Sequence, residues 1–195
     1  MTQLVLGSTS PFRKALLEKL NVPFDCAKPN IDETAIDGET PEQLVARLAE
    51  QKAKAVAEQF PEGLIIGSDQ VAVCDGNILG KPHTFENGVK QLTSFSGKSV
   101  TFLTGLCLYN AITDKAQVIV EPFHVSFREL TIDEISHYLH AEQPYNCAGS
   151  FKSEGLGICL FESLNGDDPN SLIGLPLIRL HQLLKNEGFD VLQYQ

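Results

Sequence analysis

Residues Gly63–Cys74 read GLIIGSDQVAVC, a nearly continuous apolar run of strand length interrupted by one acidic residue, Asp69. So short and apolar a run reads as a buried strand. A carboxylate rarely sits in such a strand without a partner, because burying an unpaired charge is costly. Asp69 is therefore the first candidate for catalysis. The competing reading is structural, with Asp69 closing the strand end or pairing with a lysine.

Toward the N-terminus, strands and helices alternate: a strand at Leu4–Gly7, a helix at Pro11–Leu20, the loop NVPFDCAKPNIDETAIDGE and a long helix at Pro41–Phe60. Thr40 and Gln43 form a capping box for the long helix, with Pro41 in its first turn. Toward the C-terminus the pattern shifts to antiparallel pairing. DGN at Asp75–Asn77 makes a tight hairpin turn into ILGKP, and a helix of about Phe85–Phe95 follows. KSVTFLTGLCLYN and AQVIVEPFHVSFREL then read as two long strands joined by a polar turn around Thr113–Lys115. Thr131 and Glu134 cap a short helix near Ile132–His140. The segment CAGSFKSEGLGICLF and the loop LNGDDPNSL lead to a last helix at Pro176–Asn186, with Gly188 just beyond it. No repeat, low-complexity tract or linker interrupts the chain, so residues 1–195 read as a single α/β domain built on one curved mixed sheet.

With 195 residues and 43% hydrophobic content, the chain can bury one sizeable core or two lobes. A formal charge of -10 argues against binding duplex nucleic acid or an anionic membrane through the overall field. Any phosphate ligand must then be met by a local basic cluster. Five scattered cysteines without a CxxC pair suggest neither a zinc site nor a disulfide framework, and no secretory leader or membrane-length apolar run is visible. A soluble, cytoplasmic protein is the expectation.

The first helix begins unusually. Ser10 suits its N-cap and Pro11 its first position, which puts Arg13 and Lys14 in the first turn, where the helix already carries partial positive charge. An anion bound at Ser8–Lys14 would reverse that penalty, and the amides of a strand-to-helix turn, with the hydroxyls of Ser8, Thr9 and Ser10, form a ready phosphate site. On the helical wheel Arg13 lies within the arc of Leu16, Leu17 and Leu20, and Lys14 outside it. In the long helix, Lys52 falls on the apolar face of Leu44, Val45, Leu48, Ala49, Val56 and Phe60, while Lys54 falls on the polar side. Arg13 and Lys52 thus either snorkel to water or point at an anion.

Other chemistries fit less well. FSGKSV at Phe95–Val100 lacks the glycine that a P-loop needs five residues earlier, where Leu92 stands. GSTSP is not a nucleophile elbow, and the five histidines supply no metal or paired-base spacing. Glu33 and Asp32 could help hold a divalent metal or simply belong to a solvated acidic loop. Lys81 could return to the same site.

Taken together, STSPFRK at Ser8–Lys14, Glu33, the helix with Lys52, GSDQV at Gly67–Val71, LGKP at Leu79–Pro82 and GSFKSEG at Gly149–Gly155 resemble the Maf family of nucleoside triphosphate pyrophosphatases, over essentially the whole chain. The resemblance implies a two-lobed α/β fold of the Maf/ITPase-like kind, with a curved mixed β-sheet flanked by helices around a deep central cleft, commonly as a homodimer. It also implies hydrolysis of a nucleoside triphosphate to its monophosphate and pyrophosphate with a divalent metal, Mg²⁺ or Mn²⁺. In that scheme Asp69 is the general base and a metal ligand with Glu33, and Ser8, Arg13, Lys14, Lys52 and Lys81 hold the phosphates. Many members have two arginines where this chain has Arg13 and Lys14, so the second grip becomes a point charge.

Phe12, Gln70 and Glu154 resemble the branch of the family that hydrolyses 7-methyl-GTP; the branch acting on dTTP and UTP typically has Arg, Thr and Gln there. The chemistry is consistent. Methylated guanine is cationic, so an aromatic face such as Phe12 can stack on it, a contribution of about 0.5–2 kcal/mol. Glu154 can accept from the N1–H and exocyclic amine of the base, whereas a pyrimidine carbonyl edge would meet it acceptor to acceptor. Ordinary packing for Phe12 and a solvated loop charge for Glu154 are the plain alternatives. At the level of function, the competitors are a dTTP/UTP pyrophosphatase and a non-catalytic nucleotide- or cap-binding module.

Overall fold

The computed structural model describes residues 3–194. Along them run β1 (Leu4–Leu6), α1 (Pro11–Glu18), β2 (Asp25–Cys26), α2 (Pro41–Ala57), β3 (Leu64–Cys74), β4 (Asn77–Leu79), α3 (Phe85–Phe95), β5 (Ser99–Asn110), β6 (Lys115–Phe127), α4 (Ile132–Glu142), β7 (Phe161–Asn165), α5 (Pro169–Ile173) and α6 (Leu177–Asn186). Among the described residues the strands form one seven-stranded mixed sheet in the order β2-β1-β3-β5-β6-β7, with β4 paired to β3. β1 runs parallel to β2 and β3, whereas β4 is antiparallel to β3 and β7 to β6. The α/β class and the mixed sheet are as the sequence predicts.

The chain divides into two compact units. The first takes the chain up to Asp69, Thr104–Glu121 and the chain from Asn170 onward; the second takes Gln70–Leu103 and Pro122–Pro169. In the first unit the strands are covered on both faces, and their alternation decides what they meet. Leu4, Leu6, Leu64, Ile66, Leu106 and Leu108 pack with Leu16 and Leu17 of α1 and Leu180 and Leu184 of α6. Val5, Ile65, Cys107 and Tyr109 point the other way, onto Ala49, Ala53 and Val56 of α2. Burial pushes the Cys107 thiol up to about 12, as expected of an inert core cysteine.

α2 lies very close to the sheet. A Cβ on Gly67 would fall 2.0 Å from the Ala49 carbonyl oxygen, and one on Gly105 would fall 2.1 Å from that of Val45. Only a hydrogen fits at either position.

The second unit has an aromatic core. Phe127 packs on Phe95, Phe151 and Phe161 with ring centroids 5.2–5.7 Å apart, and Phe102 meets Phe151 edge-on. Tilted and edge-to-face rings are the favoured aromatic arrangement. The turn between β3 and β4 has both Asp75 and Gly76 at positive φ, which is what a two-residue hairpin of type I′ requires.

Several expectations need correcting. LNGDDPNSL is not all loop: its last four residues, with Ile173, form α5, a single turn that Pro169 begins and that is too short to show helical periodicity. β2 and β7 lie where the sequence pattern predicts no strand, because two exposed residues and a mostly exposed edge strand carry no apolar alternation. α1 stops at Glu18 rather than Leu20, and α2 at Ala57 rather than Phe60, in both cases through a final tight turn. No helix among the described residues is long and apolar enough to cross a membrane.

Candidate active site

Lys52 is buried, as the apolar face of α2 predicts, and its ammonium joins two carboxylates. Its Nζ lies 2.6 Å from Oδ1 of Asp69 and 3.0 Å from Oε1 of Glu33. The Lys52 and Asp69 side chains are only 7% and 12% exposed, whereas Glu33 is 59% exposed. Burying the pair is tolerable because each charge faces an opposite one at hydrogen-bond distance. The glycine contact at Gly67, two residues before Asp69, lets α2 approach closely enough for a lysine on the helix to meet a carboxylate on the strand. The close approach at Gly67 and Gly105 leaves no local pattern in the sequence.

Arg13 reaches the same neighbourhood from α1. Its Nε donates to the Gly174 carbonyl at 2.9 Å, and the hydroxyl of buried Ser68, next to Asp69, donates to the same oxygen at 2.9 Å. Gly174 has φ +122°, a backbone conformation that favours glycine, and a Cβ there would approach Arg13 Nε to 3.4 Å. Burial lowers the Arg13 pKa, and the nearby charges of Asp69 and Glu33 oppose but do not cancel that effect. A half-buried guanidinium only partly compensated by carboxylates is suited to an anionic ligand. Gly174, 161 residues from Arg13, gave no sequence signal.

At the β1–α1 turn, buried Ser8 accepts from the Ser10 amide at 3.1 Å, and Ser10 caps α1 by accepting from the Arg13 amide at 3.4 Å. No acidic side chain occupies the first turn of α1. Phe12 is half-buried there. Lys14 is exposed and pairs with Glu18 at 3.9 Å, so it lies outside the group of Arg13, Lys52, Glu33 and Asp69.

In the second unit, Gln70 is half-buried on β3, while Lys81 and Glu154 are exposed. Lys81 and Glu154 both lie within electrostatic range of Cys147, whose thiol pKa is raised mainly by burial. The backbone around Glu154 is tightly turned. The amides of Gly155 and Gly157 both donate to the Lys152 carbonyl, at 3.2 and 3.1 Å. Glu142, at the end of α4, accepts from the Leu156 amide at 2.8 Å and faces Lys152 Nζ at 3.4 Å.

For a cation, the first unit offers the carboxylates of Asp69 and Glu33. No group of three or more His, Cys, Asp or Glu that could hold a metal occurs among the described residues. Asp69 and Glu33 are hard oxygen donors of the kind that Mg²⁺ or Mn²⁺ takes, and both face the Lys52 ammonium.

The family model described as Maf-like protein matches residues 3–187. A protein of Colwellia psychrerythraea named 7-methyl-GTP pyrophosphatase is 66% identical over 195 residues, covering 100% of this chain and 98% of that relative. Proteins of the same name from Pseudoalteromonas translucida and Idiomarina loihiensis are 62% and 56% identical, covering 98% and 97% of this chain and 95% and 96% of their own. Among solved structures, the Ham1 protein of Staphylococcus aureus aligns with a TM-score of 0.54 over 95% of this chain and 100% of its own. At 13% identity that likeness concerns the fold alone.

Proposed function

We propose that this chain, which belongs to the Maf-like protein family, is a cytoplasmic nucleoside triphosphate pyrophosphatase that hydrolyses 7-methyl-GTP to 7-methyl-GMP and pyrophosphate. The whole of residues 1–195 acts as one domain, and the working form is a homodimer. The observation that carries the reaction is the buried Lys52 ammonium between Asp69 and Glu33, with Arg13 in electrostatic range of both acids. The choice of base is supported by relatives at 56–66% identity that are named 7-methyl-GTP pyrophosphatase.

Asp69 accepts a proton from water as the water oxygen bonds to the α-phosphorus and the bond from that phosphorus to the bridging oxygen breaks. Pyrophosphate leaves with the bridging oxygen. Lys52, beside the base, meets the phosphates through its ammonium, and Arg13 stabilises negative charge developing on the leaving group. Ser8 and the amides opening α1 orient the chain of phosphates, and Lys14 and Lys81 add positive charge. Asp69 and Glu33 would hold Mg²⁺ or Mn²⁺, which supplies charge neutralisation on the phosphate oxygens. Phe12 stacks on the cationic base, and Glu154, with Gln70, reads its donor edge.

A hydrolysis panel of 7-methyl-GTP, GTP, dTTP, UTP and CTP with Mg²⁺ or Mn²⁺ tests this reading, with Asp69→Asn as control. The expected result is 7-methyl-GMP and pyrophosphate from the first substrate, much slower turnover of the rest, and a loss of about 10²–10⁴-fold in Asp69→Asn with nucleotide binding retained. Preference for dTTP or UTP would overturn the base assignment. Binding without turnover of any substrate would make the protein a nucleotide-binding module.

A further inference from the structure

Glu33 is the one member of the Lys52 cluster that regular structure does not hold. It lies in the irregular stretch between β2 and α2, and no buried apolar side chain occurs between Val22 and Leu44. Its carboxylate is mostly exposed, and an exposed ion pair alone orders a loop weakly. Something else must fix Glu33 against Lys52.

Arg47, one and a half turns before Lys52 on α2, does so. Its Nε and Nη2 donate to the two carboxylate oxygens of Glu39 at 2.6 and 2.8 Å, a fork-to-fork pair. Nη2 also donates to the carbonyl of Thr34, the residue after Glu33, at 3.1 Å, and Nη1 donates to Gln51 at 3.1 Å. The Glu39 and Arg47 side chains are 8% and 20% exposed, unlike a solvated surface pair. On the other side of Glu33, the Asp32 carboxylate accepts from the Thr34 amide at 2.9 Å and its hydroxyl at 2.6 Å, closing a turn centred on Glu33. Glu39 further accepts from the Ile36 amide at 3.1 Å. The same helix thus presents Lys52 to Glu33 and, through Arg47, holds the backbone that carries Glu33.

We propose that Arg47 is a positioning residue for the pyrophosphatase reaction, clamping the Asp32–Glu39 loop to α2 so that Glu33 stays against Lys52, which also pairs with Asp69. This rests on the reading that Glu33 takes part in the reaction. A lysine cannot replace Arg47, because a point charge cannot hold both Glu39 oxygens and the Thr34 carbonyl in one plane.

The test is a double-mutant cycle of Arg47→Gln with Glu33→Gln, with Glu39→Gln as a second way to open the clamp and hydrogen exchange of the metal-free, nucleotide-free protein as an independent readout. Arg47→Gln and Glu39→Gln should each lower kcat/KM about tenfold, the size expected for loss of a supporting contact. In the Glu33→Gln background Arg47→Gln should cost less than twofold. Amides of residues 32–39 should exchange faster in both clamp variants while those of β3 stay protected, and Arg47→Lys should not restore either property. The inference is overturned if Arg47→Gln keeps its full cost without Glu33, or if exchange of the loop is unchanged. Failure of the parent reading looks different: Glu33→Gln alone would turn over normally, whatever the exchange data show.

Discussion

The surroundings of Asp69 and of Glu154 contrast two ways of holding a charged side chain. Asp69 and Lys52 sit on a central strand and a helix pressed together across Gly67, with Nζ 2.6 Å from Oδ1. Glu154 sits on an exposed turn that is wound around one carbonyl oxygen and braced by the Glu142 carboxylate. Groups that handle a reacting centre gain from rigid elements, whereas groups that discriminate between ligands can be carried on a turn whose composition changes without disturbing the core. On this view the two regions should fail differently.

Gly67→Ala should give the largest effect. Its Cβ would lie 2.0 Å from the Ala49 carbonyl oxygen and 2.8 Å from the Ala53 amide nitrogen, both backbone atoms, so α2 must lift. Overpacking of this kind costs about 1–3 kcal/mol or more, and here the lifted helix also withdraws Lys52 from Asp69. Denaturant unfolding should show the destabilisation, and turnover by the surviving folded protein should collapse together with it. A Gly67→Ala protein of normal stability and activity would break the contrast, because the helix–strand spacing would then not be what sets the pair.

Much of the first region is legible in the sequence. The apolar run around Asp69 identifies a buried strand, and the helical wheel of Pro41–Ala57 turns Lys52 inward; both follow from local periodicity. What periodicity cannot reveal is contact across the chain. Gly174 reaches Arg13 and Ser68 from a distant segment, and Arg47 looks like any helix-surface arginine until Glu39 and the Thr34 carbonyl are seen to fold back on it. The Glu154 turn carries no periodic signal; the resemblance points to Glu154, and the donor edge of a methylated guanine suits its carboxylate. The helical wheel also separates the two cations at the start of α1: it puts Arg13 within the apolar arc and Lys14 outside it, where Lys14 lies beside Glu18.

Glu142→Ala probes the second region and should act on selectivity rather than on the chemical step. It removes the acceptor of the Leu156 amide and the partner of Lys152, loosening the turn that carries Glu154. The ratio of kcat/KM for 7-methyl-GTP to that for GTP should fall about two- to tenfold, the size of one net hydrogen bond. Meanwhile kcat on the preferred substrate should change less than that. An unchanged ratio with a reduced kcat would mean that this turn serves the reaction itself, and the two regions would no longer divide the work.

The smallest effect is acid sensitivity confined to the loop that carries Glu33. Hydrogen bonding from the Arg47 guanidinium, aided by the Ile36 amide, holds the Glu39 carboxyl below its ordinary 4.5, and the Thr34 hydroxyl and amide hold Asp32 below its ordinary 3.8. Both folded values lie below the unfolded ones, so each carboxylate's support for the folded loop is complete above the unfolded value and is lost as the pH falls through the folded value. From pH 7 down to about 5 the loop should therefore be unchanged, and below about 4 it should begin to release. A carbon-13 titration of the Glu39 carboxyl should give a midpoint below 4.5 that returns to the ordinary range in Arg47→Gln. If the midpoint is ordinary in the unsubstituted protein, the fork between Arg47 and Glu39 is not formed in solution. The loop would then have to be held by the Asp32 turn alone, leaving Glu33 as loosely carried as Glu154 and removing the distinction between the two regions at this residue.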